Sequence, residues 1–317
     1  MSPALALGVG LIALVLGGEL LVRGAVAAAR RLDVSPLLIG VTLVGFGTST
    51  PELLTSVQAA LDGAPGIAVG NVVGSNIANI LLIVGCAALV RPIAVDFRAV
   101  RRDAGAMLLA AIVAVAVLLG LGGVGRGVGA VFVLALIGYV IWTYRAEKRR
   151  PQPSAELHAA EANTVQGPQV GLPAALALAV GGLALTLLGA GWLVDGAIWL
   201  ARAFGISESV IGLTVVAVGT SLPELTAGIV AAIRGHSDVA LGNVLGSNIY
   251  NVLGILGVTG MVMPLGTPVD LTLVDLAVML GATVLLLPVA LSGHRISRAE
   301  GSVFVALYAG YIGYLTL

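Results

Sequence analysis

Gly47-Thr48-Ser49-Thr50-Pro51-Glu52 recurs 172 residues later as Gly219-Thr220-Ser221-Leu222-Pro223-Glu224. The same displacement carries Gly70-Asn71-Val72-Val73-Gly74-Ser75-Asn76-Ile77-Ala78-Asn79 onto Gly242-Asn243-Val244-Leu245-Gly246-Ser247-Asn248-Ile249-Tyr250-Asn251. From Ile39 to Gly85, 25 of 47 positions agree with their partners in 211–257 without a gap. Apolar helices that were alike by chance would share Leu, Val and Ala. Here the polar and Gly positions match best, so the chain carries an internal repeat. Weaker echoes lie further out, such as Asp103 with Asp275 and Met107 with Met279.

The repeat sits in a membrane protein. Apolar residues make up 58% of the 317 residues, against a usual ~45–50% that already counts Gly. Charged residues are 10%, against ~25%. Mean hydropathy is +1.07. Net charge is zero, which excludes the basic footprint of a nucleic-acid binder. The single Cys86 allows no intrachain disulfide and no cysteine metal centre. His158, His236 and His294 are scattered through polar stretches, which argues against a histidine-ligated zinc. Met1-Ser2-Pro3 brings no Lys or Arg before the first apolar run, so that run is expected to stay as a membrane helix.

A span needs ~20 largely apolar residues. The pattern predicts an all-α membrane protein of ten spans, roughly at 4–29, 36–61, 67–90, 98–121, 127–145, 171–201, 208–233, 239–263, 270–291 and 297–316. A polar stretch at 146–169 divides a first five-helix unit, 1–145, from a second, 170–317. Loops after odd-numbered helices hold thirteen of the basic residues, among them Arg30, Arg31, Arg91, Arg145 and Arg234, against Arg126 and Arg202 on the opposite side. Basic loops stay cytoplasmic. The 146–169 linker is therefore expected in the cytoplasm of a cell-membrane protein with both termini outside. Because five is odd, the second unit enters the bilayer upside down relative to the first. Inverted repeats of this kind typify secondary transporters, whose sites lie near the midplane where helices are interrupted.

The repeated blocks are built to interrupt. Pro51 has no N–H and leaves the Gly47 carbonyl without its helical donor. Gly45 and Gly47 loosen the backbone further. Thr48 and Ser49 stand four and three residues before Glu52 on one helical face. Thr220, Ser221, Pro223 and Glu224 repeat the arrangement. Ser75 and Asn79 share a face, as do Ser247 and Asn251, and Gly70/Gly74 and Gly242/Gly246 are expected to be small-residue seams. The donors are carboxylate, amide, hydroxyl and main-chain oxygens. Such a hard set suits Ca²⁺, with its ~6–8 oxygen ligands, and Na⁺ could use the same oxygens. A charged side chain at mid-bilayer costs about 2.5–3.5 kcal/mol on insertion scales, and bound cations would offset two such costs. Without cations, Glu52 and Glu224 should repel and hold a proton between them, so protons should compete with Ca²⁺.

These paired blocks closely resemble the sodium/calcium exchanger family of the calcium:cation antiporter superfamily, prokaryotic type. The resemblance covers both repeat cores and, through helix count and loop placement, essentially the whole chain. It implies ten helices in two inverted halves, and an antiporter with no cofactor and no enzymatic activity that exports cytosolic Ca²⁺ against Na⁺ entry. It implies ion ligands at Thr48, Ser49, Glu52, Ser75 and Asn79, and at Thr220, Ser221, Glu224, Ser247 and Asn251. The carbonyls of Gly45 and Ala217 would add to them. Some relatives, including potassium-dependent ones, carry Asp where this chain has Asn251, so K⁺ dependence is not expected. The proton-coupled branch tends to have Glu in its Gly-Asn block. Ser75 and Ser247 stand against it, leaving a Ca²⁺/H⁺ exchanger as the alternative.

Other polar residues read more plainly. Asn71, Asn76, Asn243 and Asn248 suit structural bonding of the broken backbone. Glu19 and Arg23, four apart, predict an internal ion pair, with Asp195 at the position opposite Arg23 in the repeat. Asp103 and Asp275 lie near helix starts, where they would stabilise the dipole. Ser49 and Ser221 lack a nearby His or Lys as base, and the Gly-x-Gly-Asp pattern of aspartyl types is absent, which argues against an intramembrane hydrolase.

Overall fold

At membrane depth there is no water to satisfy the backbone, so spanning segments must satisfy it themselves. The computed structural model describes residues 3–32, 34, 36–61, 63, 65–148, 170–203, 217–267, 273–291 and 294–315. They are helical apart from short connections and four two-residue strands. In chain order the helices are α1 (Pro3–Leu32), α2 (Pro36–Ile39), α3 (Gly45–Thr48), α4 (Thr50–Leu61), α5 (Pro65–Ala78), α6 (Gly85–Val90), α7 (Phe97–Gly120) and α8 (Arg126–Lys148). Then come α9 (Leu172–Ala203), α10 (Ala217–Thr220), α11 (Leu222–Ile233), α12 (Ser237–Ile249), α13 (Gly257–Val262), α14 (Leu273–Leu291) and α15 (Arg298–Leu315). Most of the 146–169 linker, His158 and the start of the 208–233 span lie outside the described residues.

Among the described residues, seven segments are long and apolar enough to cross a membrane: Gly8–Leu32, Pro65–Val90, Val100–Gly120, Arg126–Ala146, Leu172–Trp192, Ser237–Val262 and Leu273–Ala290. The predicted 36–61 span is instead a chain of pieces. A π-helical turn at Gly40–Val44 separates α2 from α3, and Ser49 separates α3 from α4. Further π turns at Asn79–Val84 and Tyr250–Leu256 join α5 to α6 and α12 to α13. Such bulges mark functional positions in otherwise α-helical segments. The outer faces present Leu109, Leu121, Val131, Leu134, Trp142, Val303 and Leu307 to the surroundings. An apolar belt of this kind belongs in lipid.

Apolar packing divides the helices into two clusters. One joins α1, α9 and α11 through Leu21, Val22, Ala25, Ala179, Ala227 and Ala231. The other, larger, includes Ile77, Ile80, Leu118, Leu245, Ile249 and Phe304. Helices α1 and α9 approach at glycines. A Cβ on Gly24 would stand 2.3 Å from the Ala179 nitrogen, and one on Gly182 2.2 Å from that of Leu21. On α12, a Cβ on Gly246 would stand 2.1 Å from the Val41 carbonyl oxygen, because the π turn Gly40–Val44 presses against this helix. The repeat counterpart of that turn, 212–216, which would face Gly70 and Gly74 of α5, lies outside the described residues.

The strands tie the halves together. Ile93–Ala94 (β1) pairs antiparallel with Arg295–Ile296 (β4), and Gly123–Val124 (β2) with Leu265–Gly266 (β3). The repeat displacement maps β1 onto β3 and β2 onto β4, so each half lends a strand to the other in a two-fold exchange. Asp103 departs from the expected dipole role. It is the seventh residue of α7, beyond the first turn, and accepts from Arg102 and from the Tyr139 hydroxyl at 2.8 Å. Asp275 does lie in the first turn of α14, and there it accepts from the Tyr311 hydroxyl at 2.8 Å.

Candidate ion-binding site

Each repeated Gly-Thr-Ser-x-Pro-Glu block folds as a short helix, a break and a longer helix. The break falls on the serine: Ser49 has φ −80° and ψ 12°, Ser221 φ −88° and ψ 4°. Proline two residues later sits at the start of the next helix, where its missing N–H costs nothing. The break lets each serine reach across to the opposite half. Ser49 Oγ donates to Glu224 Oε1 at 2.8 Å, and Ser221 Oγ to Glu52 Oε1 at 3.2 Å. Both carboxylates are buried, about 1% exposed. Two acids 172 positions apart are thereby held at one locus, each by the hydroxyl that precedes the other.

Asparagines fix the helices that carry them. Asn71 Nδ2 donates to the Glu52 carbonyl at 3.2 Å and to Ser56 Oγ at 3.0 Å. Asn243 Nδ2 donates to the Glu224 carbonyl at 3.1 Å, while its Oδ1 lies 3.2 Å from Thr48 Oγ1. The structural role expected for this pair is therefore seen, with the carbonyls of the two glutamates as its targets.

Asn79 is the first residue of its π turn and Asn251 the second of the other, in opposite halves, and both are also buried. Asn79 Nδ2 donates to Asn248 Oδ1 at 3.0 Å, and Asn251 Nδ2 to Asn76 Oδ1 at 3.3 Å. Among the described residues six buried side-chain oxygens have no hydrogen-bond partner, and four of them lie here: Glu52 Oε2, Glu224 Oε2, Asn79 Oδ1 and Asn251 Oδ1. A buried polar atom without a partner needs a reason. Here four of them form two pairs related by the internal repeat, and all are hard acceptors.

The Gly45 carbonyl lies 3.0 Å from Ser247 Oγ and 3.3 Å from Thr48 Oγ1, so three predicted ligands meet between α3 and α12. Ser75 is buried in α5. Thr220 and Ala217 lie in the four-residue helix α10. The Gly47 carbonyl, freed by Pro51, is not left open: Thr50 Oγ1 donates to it at 2.8 Å.

Several contacts were not anticipated from the sequence. Glu19 accepts from Arg23 as expected, but also from Arg234 Nε at 2.8 Å, joining α1 to the end of α11. The side chain of Asp195 lies outside the described residues. Tyr139 and Tyr311, which hold the two aspartates, are themselves 172 apart, so the repeat displacement was the signal that could have found them.

Comparison with known proteins places this geometry. The sodium/calcium exchanger protein family matches residues 2–145 and 174–317. The sodium/calcium exchanger MaX1 of Methanosarcina acetivorans is 35% identical over 337 residues, covering 96% of this chain and 95% of its own. The inner membrane protein YrbG of Escherichia coli (strain K12) is 36% identical over 256 residues, 81% of this chain and 78% of its own. Among solved structures, the sodium-calcium exchanger NCX_Mj soaked with 2.5 mM Na⁺ and 0.1 mM Ca²⁺ superposes with a TM-score of 0.84 at 36% identity, covering 99% of this chain and 98% of that one. With a family match over both halves and relatives of this similarity along most of its length, the chain belongs to the sodium/calcium exchanger family of multi-pass membrane antiporters.

Proposed function

We propose that the protein exports cytosolic Ca²⁺ in exchange for Na⁺ by alternating access, with the ions held between the two halves at mid-membrane. The observation that carries this reading is the set of four unpartnered buried oxygens on Glu52, Glu224, Asn79 and Asn251. Two carboxylates match one Ca²⁺ or two Na⁺ in charge. Neutral oxygens from Thr48, Ser49, Ser75, Thr220, Ser221 and Ser247, with the carbonyls of Gly45 and Ala217, complete the ~6–8 that Ca²⁺ takes. A desolvated cation offsets the cost of two buried acids. Proton competition follows from the same chemistry, since an empty site holds two acids that cannot both comfortably stay ionised.

The surrounding architecture follows the same reading. The pieces 36–61 and 208–233 and the helix 297–316 complete ten spans, in two inverted units at 1–145 and 170–317. The linker 146–169 is cytoplasmic and both termini are external, in the cell membrane. Broken helices at the repeat interface are where transporters of this build bind their cargo.

The test is ⁴⁵Ca²⁺ uptake into vesicles loaded with Na⁺. An outward Na⁺ gradient without a pH gradient should drive uptake, and Glu52→Gln or Glu224→Gln should abolish it in a folded protein. Uptake driven by a pH gradient alone would instead favour Ca²⁺/H⁺ exchange. Uptake that ignores any counter-ion gradient would indicate a channel. Flux should fall on acidification from pH 8 to 6, and flux that does not fall would remove proton competition.

A further inference from the structure

Resting on the ion site just proposed, we infer that Met107 and Met279 set which end of the Asn79 and Asn251 amides faces the ions, acting through Asn248 and Asn76. A side-chain amide has one accepting end and one donating end. It binds a cation only when its oxygen is presented. Nothing in the shape of the group enforces this, because a half-turn exchanges O for NH₂ with almost no change in volume. In this protein the choice is made two residues away.

The chain of contacts runs as follows in one half-site. Asn248 Nδ2 points at Met107 Sδ, 3.4 Å away. Its Oδ1 therefore faces the other way and accepts from Asn79 Nδ2 at 3.0 Å. Asn79 has then spent its donor and is left with Oδ1, the atom that has no partner. The other half-site repeats this: Asn76 Nδ2 to Met279 Sδ at 3.9 Å, Asn251 Nδ2 to Asn76 Oδ1 at 3.3 Å, and Asn251 Oδ1 without a partner. Both relays cross between the halves, and all six side chains are buried.

The thioether is what gives the relay a direction. Sulfur in methionine can only accept, and weakly. With Asn248 reversed, its oxygen would face the sulfur, acceptor against acceptor, and its NH₂ would face Asn79. Asn79 would have to turn its own oxygen away from the site to meet it, leaving an NH₂ toward the cation. A dry, apolar setting makes that mismatch expensive. Met107 and Met279 are thus positioning residues, each separated from its ion ligand by one asparagine. The direction of the relay is dictated by which atoms can donate.

Leucine tests this because it nearly preserves the volume of methionine and removes the acceptor. Ca²⁺ uptake should be measured in reconstituted vesicles for Met107→Leu, Met279→Leu, and the exposed control Met261→Leu. We expect KM for Ca²⁺ to rise about tenfold in the first two, the low end for residues that orient metal ligands. Maximal rate should stay within about twofold, and the ion-free melting temperature and the control should be unchanged. KM unchanged in both core variants, with Asn79→Ala raising it, would overturn the relay while leaving the ion site intact. A fall in melting temperature and maximal rate together, at constant KM, would also overturn it, because packing alone would then explain the methionines. Parent protein without Na⁺-driven Ca²⁺ uptake would overturn the functional reading itself, and the relay with it.

Discussion

At the residue scale, the serines at the helix breaks carry a prediction that proximity in the chain would not suggest. Ser49 lies three residues from Glu52 but bonds Glu224, and Ser221 lies three from Glu224 but bonds Glu52. Each hydroxyl engages Oε1 and leaves Oε2 buried without a partner. Hydrogen bonds to charged groups contribute about 1.5–3 kcal/mol. Ser49→Ala and Ser221→Ala should therefore each raise KM for Ca²⁺ about tenfold, by amounts that agree within about threefold. Coupling should follow the bond and not the sequence. In a double-mutant cycle on transport KM, Ser49→Ala should couple with Glu224→Asp by more than about 0.5 kcal/mol and with Glu52→Asp by less. The reverse pattern would mean that the serines serve their own helices.

At the element scale, the close approach of the Gly40–Val44 turn to α12 carries a prediction. A Cβ at Gly246 would collide with the Val41 carbonyl oxygen at 2.1 Å, in backbone that cannot swing aside. Overpacking of this kind costs about 1–3 kcal/mol. Gly246→Ala should lower the detergent-solubilised melting temperature by several degrees, and an unchanged melting temperature would contradict the contact. This is also where sequence reading reached its limit. The positions of the helix breaks were legible because Gly and Pro act locally, and the paired acids because a repeat of polar residues stands out among apolar ones. The seam between α1 and α9 was not legible, although Gly17 and Gly189 are 172 apart. Gly spacing shows where a backbone can approach and not which backbone does. The π turns gave no signal either, since Asn79-Ile80-Leu81 reads as plain helix. The exchange of β1 with β4 and β2 with β3 is between strands of two residues each, too short for any alternation to show. Met107 and Met279 were visible only as an echo, because the contact that gives them meaning crosses between halves.

At the scale of the whole molecule, α1 and α9 form a pair of their own, joined to the remainder by a small apolar cluster and an ionic contact. Alternating access, as proposed, requires that one helix group move against the rest to expose the site to each side in turn. If the α1/α9 pair is that group, Glu19 must change its distance to Arg234, which closes α11 one helix length from Glu224. The contact then favours the access state in which it forms. Both side chains are partly exposed, so such a pair contributes no more than about 1 kcal/mol, or roughly a fivefold shift between two states. A ligand whose competent state becomes rarer binds more weakly in proportion. Arg234→Gln should therefore raise apparent KM for Ca²⁺ up to about fivefold on one membrane face and lower it on the other, measured in vesicles of known orientation. Glu19→Gln should move both values the same way as Arg234→Gln, and the double variant should add little to either. A change in the ion site itself would weaken binding on both faces together, so opposite shifts on the two faces separate a contact that selects between states from one that holds the cargo.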